Sequence, residues 1–343
     1  MEKKLASKAK VSSKDVARLA GVSQATVSRA FNETYNLSPD LKKKVFEAAK
    51  KLEYRPNAIA RSLLSNRSNM IGIVTSRLDN PFYSHALQCF VKKLQENALQ
   101  SLVFVAEHNE DIDTVVNRVL SYQVDLVLLF GARSTTLAAK TCVEHGTPTV
   151  LFNRYIPMSQ TSAVCCNDHQ CARLIADELY GSGCRNFVYV SGDESSTTDI
   201  DRKNGFISEL QSLGINTCKI IPGGYTYEAG INAAKMLLDV CPNVDACFCV
   251  NDITAMGVLD YLRFVAKKKV PDEVCLVGFD DIPQASQLSY QLTTVRQPIE
   301  QMVDATIATI LDTLKDPNIK PVLKIIEGDF IRRNTTRPFD HHV

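Results

Sequence analysis

The chain is 343 residues long, 45% hydrophobic and 22% charged, with no apolar run of membrane-spanning length and no apolar signal region, so a membrane or exported protein is disfavoured and a cytoplasmic one expected. The formal net charge of +1 conceals an asymmetry: residues 1–70 hold 15 Lys and Arg against 6 Asp and Glu, and the remainder 24 against 32. A basic head on an acidic body predicts a phosphate-rich partner, double-stranded DNA, bound through a salt-sensitive contact.

Ser12 and Asp15 fit a capping box and predict a helix that starts there. Val16, Leu19 and Ala20 recur at helical spacing, Gly21 supplies a turn, and Val22 packs between two helices. Ser23 then caps a second helix in which Val27 and Ala30 face inward, leaving Gln24, Ala25, Ser28 and Arg29 outward. This is a helix-turn-helix, whose second helix enters the major groove with its N-terminal residues against the bases. Glutamine pairs with adenine and arginine with guanine, each bidentate contact worth about 1–3 kcal/mol of discrimination. Thr26 and Ser28 carry short hydroxyls suited to phosphates, and the capping Ser23 belongs with the same DNA-facing set. Lys3, Lys4, Lys8 and Lys10 add nonspecific attraction.

A third helix is expected from Pro39, capped by Ser38, with Leu41, Val45, Ala49 and Leu52 as its apolar stripe and Pro56 ending the element. Residues 57–69, beginning NAIARSLL, read as a weakly helical hinge too short to fold alone. From residue 70 short apolar runs alternate with amphipathic stretches, the pattern of βα units. MIGIVTS, SLVFVAE, DLVLLFG and PTVLFN predict one parallel sheet, with helices starting near Pro81, Asp113 and Thr135. A second series is expected from SAVCCN through NFVYVSG, CKIIPG, DACFCVN and EVCLVGFD, followed by helix 298–314 and strand 322–327. Two open sheets facing each other make a cleft at the carboxyl ends of their strands. Asn80 and Tyr83 after the first strand, Arg202, Asn251 and Asp280 are the polar and aromatic groups so placed. Asp252 and Asp281 read instead as helix caps or interlobe hydrogen-bonding groups.

The run KDVARLAGVSQATVSRAFN, then SP, EYRPNAIARSL, an IGIV strand and NPFY, resembles the lactose/galactose repressor family of bacterial transcription regulators. VNDITAMGVLDYL, VPDEVCLVGFDDIP and LTTVRQP extend the likeness to nearly the whole chain. The resemblance implies an all-α helix-turn-helix head plus an α/β two-lobe periplasmic-binding-protein-like domain of two open parallel sheets. It divides the chain into a DNA-binding domain (1–56), a hinge helix and linker (57–69) and a two-lobe effector-binding and dimerisation domain (70–343). It also implies that the last helix and strand return the chain to the first lobe. In that family the segment matching NAIARSLL becomes helical only on an operator, and the position of Leu63 wedges between central base pairs, a cost of a few kcal/mol offset by bending the duplex. Asn57 joins the DNA-facing residues on the same grounds. Positions matching Arg202, Asn251 and Asp280 touch the effector, and the position of Tyr225 carries an aromatic that stacks on it.

The expected function is a sequence-specific DNA-binding regulator, by family default a repressor. It binds a near-palindromic operator as a homodimer, or as a tetramer built from dimers, under control of a small-molecule effector. Inducer and corepressor remain open. The chain has no tryptophan, so the indole platform of several sugar-binding members is absent and Ser289-Tyr290 occupies that region. A sugar, a sugar acid, a hydroxy acid or a phosphorylated sugar all remain, the anionic ones by way of Arg202 with Arg154 or Arg77. Eleven cysteines show no C-x-x-C spacing and read as core residues, so neither metal nor cofactor is expected. With no convergent nucleophile, base or metal constellation, an enzyme is not expected either.

Overall fold

Gly21 adopts φ 64° and ψ 39°, a left-handed conformation that costs glycine nothing, and its turn separates α1 (Ser13–Ala20) from α2 (Gln24–Ala30). Ahead of it the Asp15 carboxylate takes both the Ser12 amide (3.0 Å) and the Ser12 hydroxyl (2.7 Å), so the acidic half of the expected capping box is formed. With α3 (Pro39–Lys51) these helices enclose a small core of Val16, Ala17, Ala20, Val27, Ala30, Val45, Ala48 and Ala49. Leu19 does not join it. Leu19 is 51% exposed, and the buried face of α1 is made by Val16, Ala17 and Ala20.

The computed structural model describes residues 11–31, 37–54, 67–106, 110, 112–131, 135–159 and 161–338. The expected hinge helix, with Asn57 and Leu63, lies outside these residues. The chain divides into two units, Met1–Asn69 and Met70–Val343.

In the second unit β1 (Met70–Thr75), β2 (Gln100–Val105), β3 (Leu126–Phe130), β4 (Thr149–Phe152) and β5 (Ser162–Cys166) form a parallel sheet with β11 (Leu323–Ile326), in the order β11-β5-β4-β3-β1-β2. Helix α4 (Pro81–Glu96) packs its Phe82 and Phe90 rings against Phe130 and Phe152 on one face. Helices α5 (Ile112–Leu120) and α6 (Thr135–Glu144) cover the other. A second parallel sheet, β7-β6-β8-β9, comprises β6 (Phe187–Ser191), β7 (Cys218–Pro222), β8 (Ala246–Cys249) and β9 (Cys275–Val277). Paired helices α7 (Asp168–Gly181) with α8 (Thr197–Ser212), and α9 (Tyr227–Val240) with α10 (Asp252–Asp260), pack on it.

SAVCCN is a correction. It was expected to open the second sheet, but as β5 it closes the first, between β4 and β11. Ala163 and Cys165 face one core layer and Val164 and Cys166 the other. A strand buried on both faces is a continuous apolar run that does not say which sheet it enters, and among the described residues no helix lies between β4 and β5 to mark the continuing series.

The chain passes between the lobes three times: after β5, after β10 (Thr294–Arg296) into α11 (Ile299–Lys315), and from β11 into β12 (Asp329–Ile331). Strands β10 and β12 pair antiparallel at the crossing. Helix α11 packs on β4, β5 and α4, so the C-terminal segment does complete the first lobe, before Thr335 O accepts from Leu276 N at 2.7 Å in the second.

Candidate functional site

On the helical unit, α2 is capped by Ser23, whose Oγ accepts from Thr26 N at 3.1 Å and lies 2.9 Å from the Thr26 hydroxyl. Burying Val27 and Ala30 leaves Gln24, Ala25, Ser28 and Arg29 exposed on one face. Gln24 Nε2 donates to Ser13 Oγ at 2.9 Å, which orients its amide plane on the exposed face.

In the two-lobe unit, all six expected effector residues line one cleft. Asn80 and Tyr83 come from the start of α4, Arg202 from α8, and Tyr225, Asn251 and Asp280 follow β7, β8 and β9. Phe82, Asn153, Arg154 and Thr198 complete the lining. Asn153 and Thr198 were missed, although Asn153-Arg154 directly follows β4 and the strand-end rule alone points to it. The cleft is shut, with a cavity of about 10 Å³.

The polar groups are held in a network with open valences. Asn80 caps α4 through Phe82 N (2.9 Å) and donates to Asp280 Oδ2 (3.4 Å). Asn251 caps α10 through Thr254 N (3.0 Å), and its Nδ2 is buried with no partner among the described residues. Asn153 Nδ2 donates to the Tyr83 hydroxyl (3.3 Å), while its Oδ1 is likewise unsatisfied. Buried polar atoms left open are costly and mark places where another molecule supplies the missing partner. Asp280 accepts from Gln297 Nε2 (2.7 Å) and holds φ at 124°, a strained conformation for a residue with a side chain.

Arg202 is 1% exposed. Its Nε donates to Asp168 Oδ1 (2.9 Å) and its Nη1 to Val250 O (2.6 Å), with Asp280 Oδ1 3.8 Å away and the guanidinium 3.6 Å from the Phe279 ring centre. Burial works against this charge, but Asp168 and Asp280 outweigh it and keep the group protonated. Burial likewise lifts Asp168 to about 6 against the pull of Arg202, and raises Asp280.

The flanking aspartates do other work. Asp252 Oδ1 accepts from Thr294 Oγ1 (2.6 Å) and Oδ2 from Ile282 N (2.9 Å), while burial and then Asp280 lift its carboxyl to about 8. Asp281 takes Arg296 (2.7 Å) and Arg333 (2.6 Å), pinning the interlobe crossing. Tyr290 donates to Asp260 (3.3 Å) beside Tyr227 and does not line the cleft. The described residues of the cleft lining offer hydrogen bonds and charge to a ligand, and none of them is a His, Cys, Lys or Ser.

Residues 12–57 match the family described as bacterial regulatory proteins, lacI family, and residues 176–336 match the periplasmic binding protein-like domain. The chain is 30% identical over 289 residues to catabolite control protein A of Priestia megaterium, covering 83% of this chain and 87% of that protein. It is 28% identical over 329 residues to the transcriptional regulator CelR of Thermobifida fusca, covering 93% and 96%. Among solved structures it superposes on the lac repressor dimer bound to operator and an anti-inducer with TM-score 0.84 at 21% identity, covering 96% of this chain and all of that one. It superposes on a CelR–cellobiose complex with TM-score 0.73 at 26% identity, covering 95% and 100%.

Proposed function

The chain belongs to the lacI family of bacterial regulatory proteins, and from that premise we propose that it represses transcription at a two-fold symmetric operator, releasing or tightening its hold when a small polyhydroxylated molecule enters the cleft. It is a DNA-binding regulator and not an enzyme. The observation that carries the reading is the outward face of α2, where a capped helix exposes Gln24, Ala25, Ser28 and Arg29 after a glycine turn. In the proposal these residues and the Ser23–Thr26 cap meet each half-site, Asn57 touches the DNA at the start of the hinge, and Leu63 opens its centre.

A symmetric operator calls for paired heads, so the chain acts as a homodimer. Phe264, Val265 and Leu288 are 68%, 62% and 94% exposed on the second lobe, and Arg263 ties their segments together by donating to Ser289 O (2.8 Å). Exposed apolar groups so grouped favour a protein partner, here a second copy.

The open valences of Asn153 and Asn251 and the aromatic walls of Tyr83 and Tyr225 support a hydroxylated ligand, and cellobiose occupies the related CelR. A cavity of about 10 Å³ holds no more than a single water, so such a ligand enters only when the lobes part about the three crossings. The ligand thus couples cleft geometry to the spacing of the first lobes in the dimer, and a coupling of about 1–3 kcal/mol changes operator affinity roughly 5- to 150-fold. The test is selection of random duplex DNA by the full-length protein with and without a metabolite pool. A two-fold symmetric site, lost in Arg29→Ala or Leu63→Ala and altered by metabolites, is the expected result. Sequence-independent binding in both conditions overturns it.

A further inference from the structure

Cys184 and Cys275 meet on one backbone carbonyl at the edge of the second sheet. Cys184, in the turn after α7, places its Sγ 3.3 Å from Asp245 O, and Cys275, the first residue of β9, donates its N–H to the same oxygen at 2.8 Å. Both residues are fully buried. The segment 332–338, which follows β12, closes over them. Thr335 pairs with Leu276 in both directions, its O accepting from Leu276 N and its Oγ1 donating to Leu276 O, each at 2.7 Å. Arg337 then lies across the two sulfurs, its N–H donating to Cys275 Sγ at 3.4 Å and its Nη2 to Cys184 Sγ at 2.9 Å. Its Nη1 donates to Asp272 O (3.1 Å), and its own carbonyl accepts from Ser182 Oγ (3.0 Å) and Arg332 Nη1 (3.2 Å).

Two sulfurs under one guanidinium differ from two sulfurs in an apolar core. Cys275 is drawn down to about 7, chiefly by its hydrogen bond with Cys184 and, against burial and the Asp245 carboxylate, by the amide and the charge of Arg337. Cys184 moves up, chiefly through that same hydrogen bond, so the pair holds one thiolate beside one thiol. Burial opposes the charge of Arg337, and the two sulfurs outweigh it. Other neighbouring thiols are biased the opposite way. Cys166 is raised by its hydrogen bond with Cys171 and by burial, and Cys249, with its Sγ 3.8 Å from that of Cys247, by burial and then by Cys247. The thiolate is the nucleophilic form of cysteine, and a thiol beside it resolves the oxidised product into a disulfide.

We propose that Cys184 and Cys275 are an oxidation site for small hydroperoxides, which close the pair to an intramolecular disulfide and release the segment that Arg337 anchors. The Cys275 thiolate attacks one oxygen of hydrogen peroxide, forming an S–O bond as the O–O bond breaks, and the departing hydroxide takes the proton that Cys275 had shed. The Cys184 sulfur then attacks the sulfenic sulfur of Cys275. The S–S bond forms, the S–O bond breaks, and hydroxide leaves with the Cys184 proton as a second water. Each sulfur gives up one electron and the peroxide takes both. A disulfide carries no charge, so Arg337 loses the anion beneath it and keeps the Asp272 carbonyl. A buried guanidinium without its anion is costly, which drives it and the segment outward. Local lifting of the same segment is what admits the peroxide in the first place.

The reduced full-length protein is treated with hydrogen peroxide at pH 7, its remaining thiols are alkylated under denaturing conditions, and it is digested with trypsin. The expected product links residues 174–185 to 270–296 through Cys184 and Cys275 and reverts with dithiothreitol. Cys184→Ala and Cys275→Ala should each abolish that link. Arg337→Gln should form it roughly fivefold or more slowly at pH 7 and regain the parent rate by pH 9, with Arg337→Lys close to the parent. These two variants carry the test if neither cysteine variant folds. Trypsin under native conditions should cut after Arg332 and Arg333 sooner in the oxidised protein than in the reduced one. Absence of the link, while the half-buried Cys89, Cys218 and Cys241 become oxidised, overturns the site. A rate indifferent to Arg337→Gln at every pH overturns the activation by arginine, and unchanged cleavage overturns release of the segment.

Discussion

Arg202 Nε donates to Asp168 Oδ1 at 2.9 Å while its Nη1 donates to Val250 O at 2.6 Å, so one buried guanidinium ties α8 to the first residue of α7 and to the end of β8. The same group faces the cleft through Asp280. One side chain therefore both joins these elements and borders the cleft. Arg202→Met keeps much of the volume and leaves Asp168 buried without its partner, for which a loss of about 3–5 kcal/mol is expected. Urea unfolding measures it. In an Asp168→Asn background the same substitution should cost much less, and strictly additive costs would show that the two groups are not coupled.

Arg29 is exposed near the end of α2, on the face shared with Gln24. A base-reading arginine lost from each half-site should cost about 1–3 kcal/mol and relax the preference at one position. A phosphate-binding one would instead weaken all sequences evenly and lower the salt slope by about one. Binding of Arg29→Ala to a panel of operator variants over a range of salt concentrations separates the two, and uniform weakening would remove Arg29 from the base-reading set.

Gly192 stands where a Cβ would lie 2.4 Å from Tyr225 Cζ. Gly192→Ala must therefore push the tyrosine ring from the wall of the cleft, and with it the guanidinium of Arg77 stacked on that ring. Effector affinity should drop roughly tenfold, about 1.4 kcal/mol, with operator affinity in the absence of effector retained. Calorimetry and operator titration on the one variant check both halves, and full effector affinity would mean that Tyr225 is not part of the wall that the ligand touches.

The head and the cleft were legible in the sequence for different reasons. A glycine turn and a serine cap are local signals, and Gly21 and Ser23 act where their chemistry places them. The cleft residues come from distant parts of the chain, yet each follows a strand, and in open parallel sheets strand ends converge on one edge. Strand SAVCC pairs in the first sheet and not the second, a choice its sequence does not announce because burial on both faces erases the alternation that would distinguish its partners. Leu19 has helical spacing yet is 51% exposed, whereas Ala17 is buried, since spacing alone does not fix where the edge of a buried stripe falls. The orphaned atoms of Asn153 and Asn251 had no signature at all, because they depend on what surrounds a side chain.

Asp252 carries the clearest pH dependence. Its carboxyl is buried completely between Thr294 Oγ1 and Ile282 N, and burial followed by the nearby Asp280 lifts it to about 8. An unfolded aspartate titrates at about 3.9, so between those values the native state holds a proton that the unfolded chain has released, and stability falls as pH rises through that window. Asp168, lifted to about 6 mainly by burial, adds the same trend over the lower part of the range. Asparagine at position 252 keeps an acceptor for Ile282 N and can donate to the Thr294 hydroxyl, which reverses its role without leaving either group unpaired. Asp252→Asn should therefore gain on the parent protein steadily from pH 4 to pH 8, as read by urea midpoints at matched salt. A difference that stays constant across the window would mean that Asp252 remains ionised in the folded chain, with the Thr294 hydroxyl and the Ile282 amide holding its charge in the core.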